Sequence, residues 1–133
     1  RQHGDAVLLG TGRFWEGVDV RGPALGIGAI DKLPFASPAD PLMMARLEHI
    51  RREGGDGVVD QQLPLAALAL KQGAGRLLRD DHDYGVVVLC DPRIRGKRYG
   101  SKFLECLAPM PSTESRADVE AFFADREKKG EVA

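Results

Sequence analysis

The sequence predicts an α/β fold in which a parallel sheet is flanked by helices, and three observations predict it. Short apolar runs at Val7 to Leu9, Ala24 to Ile30 and Val86 to Leu89 have strand length. Two helix-patterned stretches lie between the second run and the third, as the crossover of a parallel pair requires. The chain has 133 residues and is 43% apolar, enough for one buried core.

Each element has its own local signal. DAVLLG is an apolar run ended by Gly10, and ALGIGAI carries the β-branched Ile27 and Ile30; both read as buried strands. Pro34, Pro38 and Pro41 then break the chain, and Pro41 suits the first turn of a helix capped by Asp40. Leu42, Ala45 and Ile50 give that helix its apolar groups to about Arg52, where Gly54, Gly55 and Gly57 end it. A second helix is predicted from about Pro64 to Arg79 on the strength of Leu65, Leu68, Ala69, Leu70, Leu77 and Leu78. DDHDYG reads as a turn, and Val86 to Leu89, with no polar interruption, as a strand buried on both faces. Asp91 to Gly100 is a basic loop, followed by a short helix near Lys102 to Leu107 that Pro109 and Pro111 stop. A terminal amphipathic helix is expected from Ser115 to Lys129, with Ser115 and Asp118 as a capping box and Gly130 just past its end. Three strands are few for a sheet, and the chain opens on Arg1 in mid-pattern, so the expectation is a piece whose sheet is incomplete on its N-terminal side.

Composition narrows the function classes. Nineteen basic and twenty acidic residues give a net charge of -1, so any contact with nucleic acid is local rather than global. Cys90 and Cys106 form no CxxC or Cys/His cluster, which argues against zinc, an iron–sulfur cluster or a disulfide within this chain; both read as packed thiols. No apolar run approaches a membrane span and no leader pattern is present, so a soluble, cytoplasmic protein is expected. Asp80, Asp81 and Asp83 resemble metal ligands by composition but read as a turn, and His3, His49 and His82 have no partners at catalytic spacing; no metal site is expected.

Two constellations carry possible chemistry. On a helix advancing about 100° per residue, Gln72, Arg76 and Arg79 fall within a stripe about 60° wide. A glutamine with two permanently charged guanidiniums suits a site that neutralises a terminal phosphate, while Gly73 and Gly75 leave the backbone open to close approach. A solvated polar face explains the same stripe equally well. The second constellation, TGRFWEGVD from Thr11 to Asp19, follows a predicted strand, where ligands of parallel sheets collect. It is no Walker A loop, since Val18 and Asp19 stand where Lys and Ser or Thr would be. Trp15 fits either a stacking platform or a core plug.

Four strings, FWEGVDV, IDKLPFASPADP, LKQGAGRLLR and DYGVVVLCDPR, occur in that order. Together they resemble the DinG/XPD-type superfamily 2 DNA helicases, and most of all bacterial DinG-like members, over roughly Val7 to Pro109. The resemblance implies the second RecA-like (P-loop NTPase-type) motor domain over residues 1–111, with 112–133 as an amphipathic helix and tail. FWEGVD then corresponds to motif V and QxxGRxxR to motif VI. It implies that Arg79 is the arginine finger, Arg76 a second phosphate contact and Gln72 a sensor of nucleotide state. Gly17, Asp19 and Gly75 fall on the nucleotide side. Thr11, Arg13, Lys32 and Phe35 fall toward the DNA strand, although KLPF reads equally well as loop packing. Arg93 to Arg98 fit phosphate contacts or a solvated loop alike.

The departures from the family are informative. Its Walker A loop, DEAH-type box and cluster-binding cysteines are absent here, so ATP and Mg2+ would be held mainly by an N-terminal motor domain, and an iron–sulfur cluster would belong to the parent protein. The implied function is the C-terminal half of an ATP-dependent DNA helicase acting on single-stranded or forked DNA, inactive as an isolated chain. The competing reading is a non-catalytic module that binds single-stranded DNA or a protein partner.

Overall fold

Ile27–Ile30 (β1) and Val86–Leu89 (β2) pair in parallel, with Ile27 opposite Val86, Gly28 opposite Val87, Ala29 opposite Val88 and Ile30 opposite Leu89. They form the sheet of a computed structural model that describes residues 7, 9–11, 26–76 and 83–132. The ladder continues past both ends, where the Val86 amide donates to the Gly26 carbonyl and the Cys90 amide to the Ile30 carbonyl, each at 2.9 Å. A parallel pair cannot be closed by a tight turn. Two helices supply the crossover, α1 (Pro41–Arg52) and α2 (Leu63–Ala74). The α/β class is therefore as expected.

Helix α1 begins where the sequence places it. The Asp40 carboxylate accepts the Leu42 and Met43 amides at 2.9 and 3.2 Å, satisfying two of the donors a helix start leaves open. The chain leaves α1 through Gly54 at φ +83°, a conformation that costs glycine nothing. The buried residue of α1 is Met43 rather than the expected Leu42, which is 62% exposed. A π-helical turn, Val58–Gln62, then runs directly into α2, its start held by the Asp56 carboxylate on the Val58 amide at 2.9 Å.

Helix α2 buries Leu63, Ala66, Leu70 and Ala74, positions that fall on one helical face. Leu65 and Leu68, expected to drive its packing, are instead 43% and 53% exposed. Regular helix ends at Ala74 rather than reaching Arg79; Gly75 and Arg76 continue as a tightening turn, with the Arg76 amide on the Gly73 carbonyl at 3.2 Å. Residues 77–82 lie outside the described residues.

After β2 come a one-turn helix α3 (Arg93–Gly96), inside the segment expected to be loop, and α4 (Gly100–Cys106). A side chain at position 100 would run into the Ile94 backbone, so this junction requires glycine. Helix α5 (Arg116–Val132) runs through Gly130, which was expected just beyond its end. The Asp118 carboxylate accepts the Thr113 hydroxyl ahead of it. Its Phe122 and Phe123 meet Tyr84, at ring separations of 6.1 and 6.3 Å, and Arg126 lies over Tyr84 and Phe122.

The core is Ile30, Leu33, Leu63, Ala66, Leu70 and Phe103, with Val87 and Leu89 packed against it. This accounts for a correction to the strand reading. Side chains alternate along a strand, so only the face carrying Ile30, Val87 and Leu89 meets the helices. On the other face Ile27 is 54% and Val88 39% exposed, so neither strand is buried on both sides. Val7 and Leu9, expected in a buried strand, are exposed and not in one, and Leu8 lies outside the described residues.

Candidate functional site

Two groups of side chains sit on this frame. The first lies at the C-terminal end of α2. Leu70 and Ala74, 0% and 2% exposed, fix the inner side of the last turn, which leaves Gln72 exposed on the outer side and Arg76 half-buried just beyond it. Gly75 has φ -63° and ψ -14°, dihedrals open to any residue. A Cβ added there would lie 3.3 Å from the Lys71 carbonyl oxygen and 3.5 Å from that of Gln72.

The second group lies at the carboxyl ends of the two strands. Past β1 the chain buries Leu33, leaves Lys32 exposed and half-buries Phe35. Phe35 meets Tyr99 and Phe103 edge to face, with ring centroids 5.8 and 5.7 Å away. Past β2, Asp91 is buried. Its carboxylate accepts the Leu33 amide at 2.8 Å, the Arg93 amide at 3.0 Å, and the Arg93 guanidinium through Nε at 2.9 Å and Nη2 at 2.6 Å. The same guanidinium lies 4.9 Å above the centre of the Phe35 ring. The bonded Arg93 guanidinium holds the Asp91 carboxyl well below the usual carboxylate range, outweighing the opposing effect of burial. Asp91 in turn pushes the Arg93 pKa up.

Cys106 is the packed thiol expected, donating to the Phe103 carbonyl at 2.9 Å, and burial raises its pKa. Cys90 is exposed, because it follows Leu89 on the side of the strand turned away from the core. Among the described residues no three His, Cys, Asp or Glu side chains converge as a metal site, and no helix is long and apolar enough to cross a membrane.

Residues 1–110 match the helicase C-terminal domain family. The chain belongs to that family. Its relatives include the ATP-dependent DNA helicase YoaA of Escherichia coli, 52% identical over 121 residues, which is 91% of this chain and 19% of that protein. The ATP-dependent helicase DinG of Mycobacterium tuberculosis is 43% identical over 114 residues, 86% of this chain and 17% of the relative. A Bacillus subtilis relative named 3'-5' exonuclease DinG is 42% identical over 120 residues, 90% of this chain and 13% of that protein. The chain thus spans less than a fifth of the length of these relatives. The DinG-like resemblance read from the four strings is the family found.

Within this helicase C-terminal domain, the residues singled out by sequence fall unevenly. Gln72, Gly75 and Arg76 are grouped at the end of α2, and Lys32 and Phe35 at the carboxyl end of β1. Thr11 is exposed. Arg13, Gly17, Asp19 and Arg79 lie outside the described residues, as do Trp15 and most of TGRFWEGVD. Asp91 was not among the candidates, and Arg93 only as one cation of a basic loop. A signal was available: an aspartate closing an apolar strand, followed by Pro92 and then an arginine, puts a carboxylate at the strand's carboxyl end with a guanidinium two residues away.

Proposed function

We propose that the chain forms most of the second RecA-like motor domain of a cytoplasmic ATP-dependent DNA helicase, with FWEGVD as motif V and QGAGRLLR as motif VI. Residues 1–111 are the motor part and 112–133 a terminal helix and tail. Membership of the helicase C-terminal domain family, with relatives named ATP-dependent helicases, carries the reading.

In it, Gln72, Arg76 and Arg79 face ATP bound chiefly by an N-terminal motor domain. The exposed Gln72 reports on a phosphate oxygen, and the arginines offset charge developing at the γ-phosphate, so turnover waits on closure of the two domains. Gly75 lets nucleotide or the opposing domain approach the backbone, which would explain a glycine that its own dihedrals do not require. Gly17 and Asp19 link nucleotide to DNA. Thr11, Arg13, Lys32 and Phe35 face the strand, Lys32 from an exposed position and Phe35 from a half-buried one. ATP and Mg2+ are held mainly by the N-terminal motor domain, and an iron–sulfur cluster, where the parent protein has one, is held there too, because the cluster-binding cysteines of the family are not in this sequence. The chain alone does not hydrolyse ATP.

The test is Arg79→Ala in a full-length protein carrying this chain. An arginine finger contributes about 10³- to 10⁵-fold to turnover. DNA-stimulated ATP hydrolysis and unwinding are therefore lost while DNA affinity stays close to that of the parent. Undiminished turnover refutes the assignment.

A further inference from the structure

Asp91 is the buried charged residue among those described, with 4% of its side chain exposed, and the partner bonded to it, Arg93, is 37% exposed. Such pairs seldom add net stability, because apolar side chains of the same volume fill the space without the cost of desolvating charge. What this pair adds is direction. Its carboxylate reaches a backbone amide 58 positions away at Leu33, and its guanidinium lies over the Phe35 ring, so the segment after β2 grips the segment after β1 at two points. The two segments carry exposed cations: Lys32, beside the exposed Asp31, on one, and Lys97, Arg98 and Lys102 on the other. Arg95 is engaged by Glu114.

We infer that Asp91 and Arg93 are positioning residues that lock the 31–35 segment to the 91–102 segment, so that their exposed cations present a single surface to one strand of DNA. Neither residue touches the strand. Asp91 neutralises Arg93, leaving Lys32, Lys97, Arg98 and Lys102 to meet phosphates at a spacing the latch fixes. The inference rests on the helicase reading.

The experiment is ATP hydrolysis by the full-length protein as a function of oligo-dT concentration. Asp91→Asn raises the DNA concentration for half-maximal stimulation about ten-fold, the equivalent of about 1.4 kcal/mol, while KM for ATP is unchanged. Arg93→Lys, which keeps the charge and loses the fork, raises it by a smaller factor than Arg93→Gln. Because the latch acts through the Lys32 segment, adding Lys32→Ala to Asp91→Asn costs less than the two changes taken separately. An unmoved half-saturation, or full additivity of the pair, overturns the latch and leaves the helicase reading standing. A parent protein whose ATP hydrolysis ignores DNA overturns both. If Asp91→Asn does not fold, the Arg93→Lys and Lys32→Ala pair is measured in its place and decides on the same criteria.

Discussion

Replacing Asp91 with asparagine keeps its shape and removes its charge, and the consequence is local enough to measure at one amide. With its oxygen at the Oδ2 position an asparagine could still accept from Leu33 and from Arg93 Nη2, but its NH2 group would then face the Arg93 amide and Nε, two donors that Oδ1 now accepts. Breaking a buried pair by removing one partner costs about 3–5 kcal/mol when the other charge is left stranded. Arg93 is 37% exposed and recovers water, so the cost here falls to about 2–3 kcal/mol, within the range for hydrogen bonds to charged groups. At 1.36 kcal/mol per ten-fold, the Leu33 amide should exchange with solvent about 30- to 150-fold faster in Asp91→Asn. Native-state hydrogen exchange at that amide is the assay. The acid dependence carries a sign. The folded carboxyl titrates below its unfolded value of about 3.9, so its contribution is complete above that pH and is lost as pH falls toward the folded value. Leu33 protection, corrected for the intrinsic exchange rate, is flat between about pH 5 and 8 and declines below about pH 4, and Asp91→Asn abolishes the decline. A change of less than about three-fold on substitution, about 0.7 kcal/mol, refutes the account of the pair. So does protection that falls between pH 8 and 6.

Further outcomes follow from the same contacts. Leu70 is fully buried, so Leu70→Ala should destabilise by about 3–4 kcal/mol in a urea titration, the loss of its transfer energy and the cavity left behind. Gly100→Ala should lower the thermal midpoint more than alanine for glycine at exposed Gly96, where an added Cβ meets nothing within 4 Å, since at 100 it meets Ile94 backbone. Asp40→Ala removes the cap of α1 and should cost about 1 kcal/mol in the same titration, while Asp40→Asn restores most of it. Loss of turnover with retained DNA affinity in Arg79→Ala remains the test of the motif VI assignment.

What could be read from the sequence depended on how local its cause was. The cap at Asp40, Pro41 in the first turn and the glycine exit at Gly54 are decided within a few residues, and they stand where they were expected. The bounds of β2 and the site of α4 followed for the same reason. Burial was less legible, because it depends on neighbours. Leu65 and Leu68 look the same as Leu63 and Leu70 to any propensity scale, and only the position of Phe103 and Ile30 decides which pair is covered. Val86 to Leu89 was expected to be covered on both faces because no polar residue interrupts it; the helices take one face. The Asp91 contact to Leu33 spans 58 positions and no pattern of period 2 or 3.6 could reveal it. Of the proposed site, Gln72 and Arg76 were legible as a polar stripe, yet the helix that would carry the stripe ends at Ala74.

The two groups of candidate residues are separate in sequence but stand on common ground. Leu70 and Ala74 lie under the turn that carries Gln72 and Arg76, and Leu33 lies under the latch. Leu33 and Leu70 belong to the same cluster of six buried residues, with Phe103 between them and the aromatic pair Phe35 and Tyr99. Interiors packed at crystal density resist small displacements, so a substitution at the surface of the cluster stays local, whereas one inside it reaches both groups. On the proposed reading, in which a phosphate is sensed at one end of α2 and a DNA strand is met at the carboxyl ends of β1 and β2, this cluster is the rigid connection between them. Disturbing the latch should then change the response to DNA alone, and disturbing Leu70 should change the responses to ATP and DNA together. The distinction separates a positioning residue on the surface of this core from the core that joins the two sites.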